Sequence, residues 1–480
     1  MLFRSVPAAA RPTLEQRLEA LQRQSDLLRR QNDALQREIG AIRQQLAGRG
    51  GLAQKVPPKL SAKTPPQISP KTSPETSSPS LSLGGDRRIE LGGQYRINSY
   101  YADDDVGGRS RTASRVRLRQ NFDITFNSQF QTHLQFELSH TSDNVTTTSE
   151  SSRAANVDIR HAVLAYRFTN DVQLKAGIVP LSDRFGDTLF SSDWDYNPVA
   201  VVASAPLGGG VVRAFAADLQ EGEETVDDDF VHYQLDYQRV FSEGDRIDVG
   251  VTLIRTVGPA GRQRSHVNVG LSGALGLGNG LSVRGLVAGS FTDRELFAGR
   301  KNGSGVAAKI EIESKAGWSL MGTYASGSSD GGGFLPVMAL AQTNGYWGYT
   351  GLLTVQGPTD TGIDGDAVNI SNNGFGLATV QARYRRPLTR NLDLYLAAGW
   401  FGASRTPAGR DDFVGADFLA MGTYHFNPVL ALDFGVAYAR LGGGVSSYAS
   451  GLIDGAQFNG GPSDRRDKVA LFTRIQAEFK

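Results

Sequence analysis

Cysteine is absent from this chain of 480 residues, and methionine occurs only 4 times. No disulfide can staple the fold, and no thiolate can ligate a metal or act as a nucleophile. The lack of thiols suits a chain that crosses an oxidising compartment. No apolar run reaches about 18 residues, so no helical membrane span is expected. The charges nearly cancel, with 50 Lys and Arg against 49 Asp and Glu and a formal net charge of +1. Bulk charge therefore points neither to nucleic acid nor to an acidic partner. The 6 His residues show no metal-ligand spacing. No nucleophile elbow or Ser-His-Asp order is recognisable, so no catalytic residue is expected and the chain does not read as an enzyme. No metal or other cofactor is expected either. Gly276-Leu277-Gly278-Asn279-Gly280 lacks the lysine and following helix of a phosphate-binding loop and reads as a hairpin turn. The start, MLFRSVPAAARP, lacks the apolar stretch of a secretory signal, and residues 1–12 read as a tail or the remnant of a cleaved signal.

What is abundant is glycine, at 57 residues, with 23 Phe and 15 Tyr. The stretch Ser114 to Phe126 reads SRVRLRQNFDITF and alternates without a break. Val116, Leu118, Phe122, Ile124 and Phe126 take one face, and Arg115, Arg117, Arg119, Asn121 and Asp123 the other. Side chains on a strand point to opposite faces with period two, so this strand has one apolar and one strongly basic wall.

Three segments follow the tail. Over 13–49, Leu18, Leu21, Leu28, Asn32, Leu35, Ile39, Ile42 and Leu46 occupy the a and d positions of a heptad repeat. This predicts an α-helical coiled coil that joins copies of the chain, with Asn32 fixing the register. Residues 50–84 are rich in Pro, Ser, Thr and Lys and read as an extended linker. Residues 85–480 carry amphipathic runs to the end of the chain. The predicted strands are 88–101, 113–126, 129–141, 156–168, 171–180, 198–204, 210–219, 230–241, 245–256, 264–276, 280–291, 303–313, 316–326, 375–386, 391–402, 414–426, 429–441 and 467–479. That makes about 18 strands, or 16 if 198–204 and 210–219 are pieces of a bent strand.

The connections alternate between short turns such as Asn127-Ser128 and Asn427-Pro428 and long polar segments, among them 102–112, 181–197, 257–263 and 327–374. Transmembrane barrels have short turns at one end, longer loops at the other and an even strand number. The fold class expected is therefore an all-β transmembrane antiparallel β-barrel, with both termini on the short-turn side. The outward faces carry sets such as Val267, Val269 and Leu271, and the inward faces sets such as Gln131, His133 and Gln135, which implies a wet interior.

With these residues the barrel segment resembles the Gram-negative outer-membrane porins. The carriers are Arg115-Val116-Arg117-Leu118-Arg119, the segment VQLKAGIVPLSDRFGDTLFSSDWDYNP (172–198), which is also similar to alginate-export-like barrels, and the closing strand with Val469, Leu471, Ile475 and Phe479. The resemblance implies that Phe479 is an assembly signal, here displaced by the Lys480 that follows it. It implies a passive diffusion channel for small hydrophilic solutes, lying in outer-membrane lipid and lipopolysaccharide, with the N-terminal arm in the periplasm. A homotrimer is expected, although the heptads also permit a dimer. Two other readings stay open: a tether to the cell wall with a plugged barrel, and an exporter of an anionic polysaccharide.

Arg96, Arg115, Arg117, Arg119 and Lys175 are the candidate basic wall of the pore, with Glu137 as the lumenal counter-charge opposite Arg117 or Arg119. Such a wall favours anions. The third long loop holds Asp183, Arg184, Asp187, Asp193, Trp194 and Asp195, and in porins this loop commonly narrows the pore. Arg115, Arg117 and Arg119 are expected to face Asp187, Asp193 and Asp195 across the constriction.

Overall fold

A computed structural model describes residues 80–104, 109–143, 156–220, 230–242, 244–258, 262–293, 303–337, 347–354, 359, 368–406, 411–442 and 466–479. The expected coiled coil and nearly all of the linker lie outside these residues. The strands are β1 (Ser80–Gly84), β2 (Arg87–Asp104), β3 (Arg109–Thr125), β4 (Phe130–Asp143), β5 (Asn156–Arg167), β6 (Gln173–Ile178), β7 (Val199–Leu207), β8 (Gly210–Gln220), β9 (Phe230–Ser242) and β10 (Asp245–Gly258). They continue with β11 (Arg262–Gly278), β12 (Leu281–Thr292), β13 (Gly303–Ser314), β14 (Trp318–Ala325), β15 (Leu377–Pro387), β16 (Leu392–Ala403), β17 (Phe413–His425), β18 (Leu430–Leu441) and β19 (Arg466–Phe479).

From β2 onward each strand pairs antiparallel with the next, and β19 returns to β2, with Lys468 opposite Asp104 and Phe479 opposite Gly93. This closes a barrel of 18 strands, β2 to β19, and closure leaves no bare edge to aggregate. β1 is a short hairpin arm on the foot of β2, with Leu81 opposite Ile89. The 16-strand alternative falls, because β7 and β8 are separate strands joined at Gly208-Gly209 and paired in register. Two connections expected to be long loops are mostly strand. The β2–β3 link is only 105–108, and the β10–β11 link only 259–261. Period-two alternation fades at polar strand ends, but the ladder there still satisfies the backbone.

The faces follow from the solvent on each side. Val116 pairs with Ile97 and Leu118 with Tyr95 on the outer face, while Arg117 pairs with Arg96 on the inner one. A slip of one residue in β3 would turn Arg115, Arg117 and Arg119 outward, at about 2–4 kcal/mol each near the bilayer midplane. Val201, Leu235, Leu271, Val287, Trp400 and Leu471 are all exposed on the outer face. Phe479 closes the last strand on that face, over Gly93.

The interior departs from the expected wet lumen on one side. Leu377, Phe401, Val414, Leu419, Ala437 and Leu441 of β15–β18 point inward and are buried against the β14–β15 loop. Its described parts place Phe334, Leu335, Trp347, Leu352, Leu353 and Ile370 in that apolar core. The β14–β15 loop thus folds into the barrel, where an external polar loop was expected.

Candidate functional site

The site is built from two inward loops and the strands that hold them. The β6–β7 loop (179–198) crosses the lumen. Its start is held at the β8–β9 wall, where Arg213 donates to the Ser182 carbonyl at 2.9 Å and pairs with Asp236 at 2.6 Å. Arg184 pairs with the same Asp236 at 2.9 Å and donates to the Val211 carbonyl. The Phe185 ring reaches β10 and β11, over Gly250 and Gly270, which pair with each other on the inner face. A Cβ at Gly270 would stand 2.8 Å from that ring, so the pair of glycines forms its seat. Phe190 and Tyr196 pack around His232 with Phe215, and the Tyr196 hydroxyl meets His232 Nδ1 at 2.5 Å.

Asp183 organises the turn of this loop. Its carboxylate accepts from the backbone N–H of Phe185 at 2.6 Å, Phe190 at 3.0 Å and Leu189. Burial and the nearby Asp187 push its pKa up to about 7, against the pull of those three donors. Asp187 is raised as well, by burial first and then by Asp193.

The loop returns along β4 and β5. Arg160 donates to Asp195 at 2.8 Å, to the Ser192 carbonyl at 2.9 Å and to Gln135 at 3.0 Å. Arg160 sits at a β-bulge, where the register between β4 and β5 shifts between Gln135 and Phe136. The extra residue lets Arg160 and His161 both face the lumen. His161 meets Asn197 at 3.1 Å and His133 at 3.2 Å, and His133 meets Asp123 at 2.7 Å. Arg160 escaped the sequence reading, although the break in alternation at Ile159-Arg160-His161 was a signal for it.

The expected basic wall is assembled on β2 and β3. Arg96 lies opposite Arg117, and Arg119 opposite Glu137. Arg119 Nε donates to Glu137 at 2.6 Å, and Arg115 stands 3.6 Å from the same carboxylate. Arg117 donates to Gln94 at 2.7 Å and Arg96 to Gln476 at 2.8 Å. Lys175 lies further round the wall, in a cleft of about 220 Å³ with Asp123, His133 and Gln173.

Of the acidic loop residues expected to face this wall, only Asp195 meets it among the described residues, at 2.5 Å from Arg160 and 3.6 Å from Arg119. Asp187 instead lies by Ser182 and Ser191, within the electrostatic reach of Lys309 on the opposite wall. Asp193 is exposed in the short 3-10 turn Ser192–Trp194, and the side chain of Trp194 lies outside the described ones. The difference is one of reach. The loop crosses to Gly250 and Gly270 before it returns, so its first half serves the far wall.

The β14–β15 loop is the second occupant. Lys309 donates to the Trp347 carbonyl at 3.1 Å, Gln381 accepts from the Tyr349 N–H at 2.8 Å, and Tyr395 donates to the Tyr349 carbonyl at 2.8 Å. The Tyr349 hydroxyl donates to Glu311, and Asp417 accepts from the N–H groups of Leu352 and Leu353 at 2.8 and 2.6 Å.

The chain matches no protein-family model and no curated protein. Solved structures do match it. The outer membrane protein OpdK of Pseudomonas aeruginosa aligns over 81% of this chain and 99% of its own, with a TM-score of 0.51 and 12% identity. OccAB1 of Acinetobacter baumannii covers 81% and 96%, with a TM-score of 0.51 and 11% identity. OccK5 (OpdH) of Pseudomonas aeruginosa covers 81% and 98%, with a TM-score of 0.50 and 10% identity. The fold is that of the outer-membrane porins. At such identities the likeness reaches the porin barrel and not its cargo.

Proposed function

We propose that the protein is an outer-membrane diffusion channel for small hydrophilic solutes, with a preference for anions. The inner faces of β2, β3 and β5 bring Arg96, Arg115, Arg117, Arg119 and Arg160 together on one wall around Glu137 and Asp195, with Asp158 opposite Glu137 and Asp123 further along β3. That cluster of guanidiniums carries the reading. Low-dielectric walls strengthen the field of a cationic strip and concentrate anions along it. The β14–β15 loop occupies the β15–β18 side, so the solute path runs along the arginine wall, beside the return limb of the β6–β7 loop. In this reading the short turns face the periplasm and the N-terminal arm extends there. The heptads over 13–49 trimerise the chain, and the linker of 50–84 lets the arm reach the cell wall.

The test is a reversal potential in a planar bilayer under a salt gradient. Replacing Arg115, Arg117 and Arg119 together by Gln should move it toward the cation side. An unchanged reversal potential refutes the assignment of selectivity to this wall. A second reading, a plugged barrel that serves as a tether, draws support from the apolar filling of the β15–β18 side. A correctly inserted protein that conducts nothing would favour it.

A further inference from the structure

The outer face of the barrel carries an open trough between β10 and β16. Gly273 of β11 pairs with Gly285 of β12, and Gly322 of β14 lies on the same row beyond Ile310. A Cβ added at Gly285 would meet nothing closer than 3.9 Å, and one at Gly322 nothing closer than 3.7 Å. The trough has a volume of about 910 Å³ and is open along its outer side. Its walls are apolar, with Leu271, Val287, Tyr324 and Trp400 along it.

The row climbs. Counted from the short-turn end, Ile247 is the third residue of β10, Gly285 the fifth of β12 and Trp400 the ninth of β16. Across six strand intervals it extends about 29 Å at roughly 4.8 Å each. A leaflet is about 15 Å deep, half the hydrocarbon core, so a slanted acyl chain fits the trough. At the low end stands Arg239 of β9, paired with Ile247 and exposed on the outer face. Its guanidinium lies beside Gly209 of the β7–β8 turn and 5.0 Å over the ring of Phe241, and it is Phe241 that lines the trough. A guanidinium on a lipid-facing strand is tolerated near the membrane interface, the level of lipid phosphates, and it binds phosphate by paired hydrogen bonds.

We propose that this trough binds one glycerophospholipid of the leaflet on the short-turn side, with its phosphate on Arg239 and an acyl chain along Gly273, Gly285 and Gly322. The inference rests on the reading of the chain as a membrane barrel with its short turns at the periplasm. A lipid is the occupant because the trough is concave and a cation stands just beyond Phe241 at its low end. A second copy of the chain would have to bury that guanidinium against its own apolar outer wall.

The test uses the full chain in nanodiscs of phosphatidylglycerol and phosphatidylethanolamine, released into mild detergent, with retained lipid counted by native mass spectrometry. The variants are Gly285→Leu, which fills the trough, Arg239→Gln, and Val201→Leu, an outward control on β7. The parent and the control should retain one phospholipid per chain. Gly285→Leu and Arg239→Gln should each retain about tenfold less at unchanged subunit number, the loss of about one good contact. Equal retention in all four overturns the site, and so does a loss in Gly285→Leu that spares Arg239→Gln, because it removes the phosphate contact. A fall in subunit number in Gly285→Leu overturns it in favour of a second copy. Conductance of the same preparations separates this proposal from the channel. Retention without conductance sinks the channel and leaves the lipid site standing, and conductance without retention does the reverse.

Discussion

Asp417 offers the sharpest handle on the barrel interior. It is fully buried on the inner face of β17, and one of its oxygens accepts from the N–H groups of Leu352 and Leu353 at 2.8 and 2.6 Å. Asp417→Leu keeps the bulk and removes the acceptor. Two buried N–H groups left without a partner cost about 1–3 kcal/mol each, so the docked β14–β15 loop loses roughly 2–6 kcal/mol. In the parent, undocking also rehydrates a carboxylate, a gain the variant lacks, which brings the net loss toward about 2 kcal/mol. Such a loss raises the undocked fraction about thirtyfold while that fraction is small. Asp417→Asn retains one acceptor oxygen and should fall between the two. The assay is single-channel recording, with limited proteolysis of the loop alongside. Asp417→Leu should show added open-channel noise or larger substates, and faster cleavage within 338–367. Conductance and cleavage identical to the parent would refute the idea that this carboxylate holds the loop.

Other consequences follow from the β6–β7 loop. Gly270→Val places a side chain where the Phe185 ring sits, and overpacking of this kind costs about 1–3 kcal/mol; conductance should change, while Gly289→Val, also on the barrel wall but away from Phe185, should leave it unaltered. The raised pKa of Asp183 means that the folded loop holds a proton the unfolded chain releases, between the ordinary value near 3.8 and about 7. Its contribution to stability therefore falls as pH rises through that window and is least favourable above about 7. Proteolysis within 179–198 should be slower at pH 5 than at pH 8, and Asp183→Asn should flatten the difference. Arg160→Gln removes the 2.5 Å pairing with Asp195 and should loosen the return limb, seen as increased channel noise with the barrel still resistant to detergent. Removal of residues 1–79 should leave conductance intact and weaken the oligomer; an unchanged subunit number would rule out the trimerising role of the heptads.

The strand ladder was legible because water and lipid impose period two on each strand and turn residues mark one end. The 18 expected runs coincide with β2 to β19 within a few residues. Pairing across strands was legible in part where a charge needs a partner: Glu137, expected opposite Arg117 or Arg119, lies opposite Arg119. What the periodicity could not carry was anything inside the barrel. Residues 346–355, YWGYTGLLTV, are too apolar for a solvated loop, and besides Asp393, Asp417 and Asp433 the inner faces of β16 to β18 carry apolar residues such as Phe401, Leu419, Ala437 and Leu441, as strands covered on both sides do. Together these two features announce a loop packed against those strands. The seat of Phe185 was hidden for another reason. Gly250 and Gly270 fall at inward positions of their strands, but their partner Phe185 lies 65 and 85 residues before them in a loop, and only the fold brings them together. The bulge at Arg160 shows in the sequence only as a break in alternation at Ile159-Arg160-His161, and the register shift that turns Arg160 inward comes with the pairing of β4 and β5.

Diffusion of solutes requires a water-filled passage through the closed barrel. The direct measurement is the current through a planar bilayer after addition of the full chain, with a salt gradient across the membrane. Discrete steps with a reversal potential on the anion side are the predicted result. Inserted, heat-modifiable protein that leaves the bilayer at its bare conductance would show that the barrel holds no such passage.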